Sequence, residues 1–361
     1  MLKFYKTLRT FAHVKIKNHT RTKDFLTVKN ILVIGGTRNI GYQLVQRLLE
    51  HGGYQVTMLN RGMGEDDLPE SVYRLRADRT NTQQMRRALL AKSFDAVVDF
   101  VLFNGREAET VLELLKGRTE HYIWISSGQV YLVREDIARP FKESDYDGRL
   151  LPAPKPSTYA YEEWQYGMDK RAAEDVLARD DSFPYTSLRL PMINSERDPF
   201  RRLYGYILRL KDGGPLLVPE KPSYPLRHVY GLDVVNAVIR LIETGLGKRG
   251  AYNLAQDETV TIDEFLHLLA RVKGVPAPRI VRKKAKDLEA AGFLPDCSPF
   301  SDVWMSELDN TLSKEALGIT YTPLETYLTA LVAYYRQHPP QPPFSYRRRS
   351  AEVQFANESR A

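Results

Sequence analysis

One short segment constrains the fold of this chain more than any other. An uninterrupted apolar run, Ile31-Leu32-Val33-Ile34, stops on Gly35-Gly36-Thr37-Arg38-Asn39-Ile40-Gly41, and apolar residues then return at Ile40, Leu44, Val45 and Leu48. A run with no polar face reads as a strand covered on both sides, as in a parallel sheet. The later spacing is that of an amphipathic helix, which Gly52-Gly53 ends. Strand, glycine turn and helix in that order open a β-α-β unit. The rest of the first half repeats the alternation: strands at 55–59, 72–75, 96–100 and 122–125, with helical stretches near 82–92 and 106–116. This predicts an α/β architecture, a doubly wound parallel sheet of the Rossmann type. After Leu190 the alternation loosens into separated helices near 230–244, 261–273 and 323–337. They predict a smaller C-terminal lobe facing the carboxyl ends of the strands.

Charge is distributed unevenly. Residues 1–29 carry eight basic residues and one acid, Asp24, so the whole net charge of +7 resides there, and the remaining 332 residues hold 44 bases and 44 acids. The body is therefore neutral, which argues against a nucleic-acid-coating surface over the folded part. The head has the basic, acid-poor character of a transit segment but contains no serine. A leader or a nucleic-acid arm has the same composition, and the reading preferred here is a flexible leader. Cys297 is the single cysteine, which excludes an internal disulfide and a multi-cysteine metal centre. No metal site is read. With no apolar run of membrane-spanning length, the expectation is a soluble, cytoplasmic protein, with organelle import through residues 1–28 left open. At the other end, Pro339, Pro340, Pro342 and Pro343 precede Arg347-Arg348-Arg349. Residues 339–361 are expected to be mostly unstructured, or a docking strap.

The glycine loop carries the first chemistry. Gly35 allows a sharp turn and Gly41 a close helix-to-sheet approach, so backbone amides at a helix start can meet a pyrophosphate. Gly35, Thr37, Arg38, Asn39, Ile40 and Gly41 are thus expected at a dinucleotide. The residue ending the second strand selects among such cofactors. An acid there would bind the ribose hydroxyls and repel a 2′-phosphate, but this chain has Asn60 followed by Arg61, with Arg38 in the loop. That favours NADP over NAD. Asp78, after the third strand, is expected at the adenine amino group.

The second chemistry lies in Tyr166-Gly167-Met168-Asp169-Lys170, inside a predicted helix over 161–177. Residues four apart share a helical face. Lysine's charge would stabilise a phenolate and bring its pKa down, making Tyr166 a proton donor and acceptor as hydride moves on the neighbouring carbon. Ser126-Ser127 follows the strand ending at Ile125, at the sheet edge where ligands bind, and a hydroxyl there can align the reacting oxygen.

Taken together, these segments resemble the extended short-chain dehydrogenase/reductases, or NAD-dependent epimerase/dehydratase family, over about residues 30–336. The likeness rests on the glycine loop, Asp78, Asp99, Ser126-Ser127 before Val130-Tyr131, Tyr166 to Lys170, and Leu188-Arg189-Leu190-Pro191. The resemblance implies an NAD(P)-binding Rossmann domain over 29–190 and a substrate lobe over 191–338 mixed with the first domain. It makes Ser127, Tyr166 and Lys170 catalytic, places Pro191 near the nicotinamide, and puts Ser126 and Arg227 at the substrate. It further implies a homodimer formed through the Tyr166 helix and a neighbour. Arg227-His228-Val229, Asp233 and Tyr252-Asn253-Leu254 look like substrate-lobe segments. Arg38 in place of the middle glycine resembles the atypical branch that includes chloroplast stem-loop-binding proteins, some of which bind RNA. Leu190-Pro191 and the loop Asn194 to Pro199 also depart from the family pattern. The long stretch from Ser127 to Tyr166, with Pro140, Pro152, Pro154 and Pro156, suggests an inserted loop over the cleft. Sugar-nucleotide dehydratases carry an Asp-Glu pair after the catalytic hydroxyl. Gly128-Gln129 stands there instead, which disfavours dehydration.

The expected function is an NAD(P)-dependent epimerase or carbonyl reductase acting on a sugar nucleotide or related compound. The rival is a non-catalytic RNA-binding protein of the same fold. The charge split and the domain-like start at Val28 generate a first prediction. A chain beginning at Val28 is expected to keep its thermal midpoint and cofactor affinity, checked by thermal unfolding, where a drop of several degrees would show that the head packs on the body.

Overall fold

In the computed structural model, which describes residues 28–64, 66–221 and 223–358, the opening apolar run is β1 (Lys29–Ile34), and its last four residues are fully buried. The expected basic head, residues 1–27 of it, lies outside the described residues. The first lobe continues through α1 (Asn39–His51), β2 (Tyr54–Asn60), β3 (Tyr73–Arg76), α2 (Thr82–Leu89), β4 (Ala96–Asp99), α3 (Gly105–Leu115) and β5 (Tyr122–Ser127). Then follow α4 (Gln129–Leu132), α5 (Tyr159–Arg179), β6 (Tyr185–Leu190) and a short β7 (Ile193–Asn194). The second half holds α6 (Arg202–Asp212), β8 (Leu216–Pro219), β9 (Val229–Tyr230), α7 (Gly231–Thr244) and β10 (Gly250–Asn253). It ends with α8 (Ile262–Lys273), β11 (Ile280–Lys283), α9 (Ala285–Ala290), α10 (Thr311–Leu317), α11 (Leu324–Gln337) and α12 (Arg349–Asn357).

Seven strands form one parallel sheet in the order β10-β6-β5-β4-β1-β2-β3. Alternate side chains feed opposite layers. Ile31, Val33, Val56, Met58, Val98 and Ile123 pack with Leu44, Val45 and Leu48 of α1 and Val234, Val238 and Leu241 of α7. Leu32, Ile34, Val97, Tyr122 and Trp124 pack with α2, α3 and α5 through Met85, Leu89, Val111, Leu115, Ala173 and Leu177. Two buried layers explain why the strands show no polar face. The mixing of the lobes is concrete: α7 and β10, from the part of the chain assigned to the second lobe, complete the first. A separate core of Leu203, Ile207, Leu216, Phe265, Leu269, Tyr327 and Leu331 holds the second lobe. Among the described residues no helix is long and apolar enough to cross a membrane.

The tail corrects the expectation of an unstructured end. Residues 344–348 form a 3₁₀ turn and 349–357 form α12. Arg349 pairs with Asp212 at 2.8 Å, and Glu352 receives two hydrogen bonds from Arg209, at 2.6 and 2.9 Å. The sequence could not show this because the partners come from α6, some 140 positions away. Arg209 and Glu352 are both about 2% exposed. Breaking a buried pair from one side costs about 3–5 kcal/mol because the other charge stays buried without a partner. Glu352→Ala is therefore expected to destabilise the fold by that order, measured by urea unfolding, and a change below about 1 kcal/mol would show that the tail only lies against the surface.

Candidate active site

The carboxyl ends of β1, β2, β4 and β5 open onto a cleft of about 600 Å³. Gly35, Thr37, Arg38, Asn39, Ile40, Asn60, Arg61 and Asp78, the residues expected near a dinucleotide, all line it. Gly35 sits at φ +90°, and a Cβ there would stand 2.7 Å from Val101. Both facts require glycine. Gly41 is buried on α1 against the backbone of Gly36. The first turn of α1 has no acidic residue and no side-chain cap, so its free amides and positive end suit an anionic group. Asn60 turns back on its own loop, accepting from the Gly62 amide at 2.8 Å. Asp78 accepts from the Thr80 amide and hydroxyl, which hold its carboxyl below the usual range, with Arg61 adding to the effect. Pro191 is buried at the end of β6, two residues before Ile193 in the cleft wall.

The sequence likeness named Asp99 without a role and missed Arg79 and Glu107, which line the cleft. Asp99, fully buried at the end of β4, receives the Arg79 guanidinium, the Tyr122 hydroxyl at 2.7 Å and the Val101 amide at 2.9 Å. Arg79 Nε lies 3.1 Å from Glu107. Arg79 follows Asp78 directly, but only the fold shows that its side chain turns inward.

Lys170 comes from α5 and is almost wholly buried. Its ammonium donates to the carbonyls of Leu102 at 2.7 Å and Ile125 at 2.9 Å, and lies 5.8 Å from the centre of the Tyr166 ring. Burial pulls its pKa down to about 7, with Asp99 opposing. Tyr166 is a partly exposed residue with its phenol raised above the ordinary value, mainly by burial, against a lowering contribution from Ser127 beside it. The expected lowering by lysine is thus corrected: the ammonium is held by two carbonyls and does not reach the hydroxyl. Ser127 accepts from the Gln129 amide at 3.1 Å.

Two residues expected at the substrate are engaged with other groups of the protein. Ser126 is buried and donates to Glu174 at 2.5 Å, in a network closed by Arg189. Arg227 donates to the Gln256 carbonyl and to Asn310, at 2.9 and 3.0 Å. The proline-rich segment after Ser127 does not line the main cleft. It pairs with residues 307–309 through Phe141 and helps to form a separate hollow of about 310 Å³ with Tyr224 and Trp304. Gly128 has its own reason: a Cβ there would meet the Ser306 side chain, its Cβ at 2.7 Å. Gln129 Nε2 donates to Glu163 of α5 at 2.6 Å. Glu163 is raised by burial and by Asp302, which itself accepts from Tyr159 at 2.6 Å.

The fold is a Rossmann sheet with a cleft at its carboxyl edge, and Ser127 at the end of β5 stands beside Tyr166 of α5. The NAD dependent epimerase/dehydratase family matches residues 31–255, and the chain belongs to that family. The chain is 28% identical over 276 residues to a chloroplast stem-loop binding protein of 41 kDa from Arabidopsis thaliana, covering 72% of this chain and 68% of that one. It is 29% identical over 147 residues to a 2′-dehydrokanamycin reductase of Streptomyces kanamyceticus, covering 41% of this chain and 37% of the other. The fold is similar to that of a UDP-glucose 4-epimerase from Thermotoga maritima, with a TM-score of 0.66 and 21% identity over 86% of this chain and all of that one.

The burial of Lys170 generates a stability prediction. An unfolded lysine titrates near 10.4 and the folded one near 7. Between those values the unfolded chain holds a proton that the native state has released, so this group adds stability as pH rises and costs most below 7. Relative to Lys170→Met, which lacks the titration, the parent is expected to gain stability between pH 6.5 and 9. Urea unfolding of both proteins at each pH measures this, and a constant difference would place the ammonium in water.

Proposed function

We propose that this protein is an NAD(P)-dependent epimerase or carbonyl reductase of a sugar nucleotide or related hydroxyl/carbonyl compound. The observation that carries the reading is the placing of Ser127 and Tyr166 side by side at the end of β5, with Lys170 anchored one helical turn further on. A nicotinamide dinucleotide in the adjoining cleft would donate or accept the hydride. The uncapped start of α1, Gly35 and the pair Arg38 and Arg61 fit its phosphates, and the two guanidinium groups favour NADP.

Tyr166 moves the proton. Burial keeps it on the phenol, so the resting group is ready to donate to a carbonyl oxygen. In the reverse direction the same oxygen, as the phenolate left by that donation, takes the proton from a hydroxyl. Ser127 fixes the reacting oxygen by a second hydrogen bond. Lys170 holds the ends of β4 and β5 at a set spacing, and its remaining donor capacity is available to a ribose hydroxyl. The resemblance to the family extends the proposal to a homodimer formed through α5.

The similarity to the Arabidopsis protein supports a second reading, an RNA-binding protein that keeps the fold. Tyr166→Phe separates the two. The ring stays, so packing and cofactor binding are expected to hold, while turnover falls by about 10²–10⁴-fold, the usual worth of general acid–base catalysis. Steady-state rates with a panel of sugar nucleotides and NADPH or NADP test this. Near-full activity in the variant would move the proton to another residue. No turnover in the parent, with salt-sensitive RNA binding that survives removal of residues 1–28, would favour the binding protein.

A further inference from the structure

The rim of the cleft at β2 and β3 carries an excess of positive charge that the sequence reading only half identified. β3 is the outer strand of the sheet, and its last residue, Arg76, stands in register with Asn60, the last residue of β2. In a parallel pair, residues in register project to the same face. The Arg76 guanidinium lies against Gly62: a Cβ there would be 3.1 Å from its Nε and 3.4 Å from its Cζ. Asn60 and Gly62 both line the cleft, as do Arg38 and Arg61.

Of the described acids in the neighbouring loop, Glu70 is exposed and the two aspartates are engaged with other arginines. Asp66 holds Arg74 through two hydrogen bonds of 2.7 and 2.8 Å, and Asp67 pairs with Arg197 of the second lobe at 3.2 Å. Asp78 is occupied by Thr80. Among the described residues, Arg38, Arg61 and Arg76 make no ion pair, and all three are exposed. The Arg76 guanidinium therefore adds positive charge at the Gly62 turn, next to a cleft that Arg38 and Arg61 line.

We propose that Arg76 is a specificity-determining residue, the third arm of a phosphomonoester site that receives the 2′-phosphate of NADP(H). The inference rests on the dinucleotide reading above. It assigns cofactor choice to a residue on the outer strand, beyond the glycine loop and the end of β2. Guanidinium suits this task because its planar donors meet two phosphate oxygens at once.

The test uses the full chain and two probes, 2′,5′-ADP and 5′-ADP, with affinities measured by calorimetry for the parent, Arg76→Ala and Arg76→Lys. The parent is expected to prefer 2′,5′-ADP. Arg76→Ala is expected to weaken 2′,5′-ADP by about 10- to 100-fold while 5′-ADP changes little, and Arg76→Lys is expected to retain part of the preference. A preference that survives unchanged in Arg76→Ala overturns the role of Arg76 and leaves the phosphate to Arg38 and Arg61. Equal loss of both probes also overturns it, and assigns Arg76 to holding the Gly62 turn. A parent with no preference overturns the NADP reading and this inference together. Unchanged thermal midpoints in the variants show that each affinity belongs to a folded protein.

Discussion

The buried ammonium of Lys170 is the contact on which the site depends. It reaches from α5 to a carbonyl just after β4 and to another within β5, so one side chain joins a helix to two strand ends. Those strand ends are the cleft wall and the Ser127 loop. A charge so placed is costly, and its depressed pKa is the measure of that cost. Two carbonyl acceptors and the nearby Asp99 offset part of it. The consequence is geometric: with Lys170 fixed, Tyr166 one turn earlier has little freedom about the helix axis, and its phenol stays beside Ser127.

A second buried layer of charge supports the first. Asp99 with Arg79, Glu174 with Arg189, and Arg209 with Glu352 are each nearly closed to solvent. Such pairs add little net stability when formed, but they penalise any arrangement that separates them. Here they tie elements distant in the chain: β4 to the loop after β3, β6 to α5, and the tail to α6. Part of the balanced charge of the body is thus internal pairing, while Arg38, Arg61 and Arg76 are exposed and make no ion pair among the described residues.

The lobes are joined beside the glycine loop at the mouth of the cleft. Ser195 donates to Asn39 in the glycine loop, Arg197 stacks 3.6 Å from the Tyr42 ring, and Thr322 donates to Asp233 at the start of α7. Residues 302–308 cross Gly128 and approach Tyr159. Segments from the second half of the chain are therefore packed against the glycine loop, α1 and the turn after β5 of the first.

Periodicity and local chemistry made the first half legible from sequence. A strand buried on both faces must be apolar throughout, a glycine turn must precede a helix that approaches closely, and Tyr166 and Lys170 four residues apart must share a face. Those are short-range rules, and β1, α1, β2, β4, β5 and α5 follow them. β6 escaped because buried Arg189 interrupts its apolar run, and the pairing with Glu174 that permits burial is a tertiary fact. The same reason hid α12, whose charges read as solvated until Arg209 and Asp212 were opposite them. Only the fold could decide that Ser126 faces Glu174 while Ser127 faces Tyr166, that Lys170 bonds carbonyls in preference to the phenol, and that Arg76 stands beside Asn60. Each depends on which strand ends are neighbours, and strand order is set by packing across the whole sheet, which no local stretch of sequence encodes.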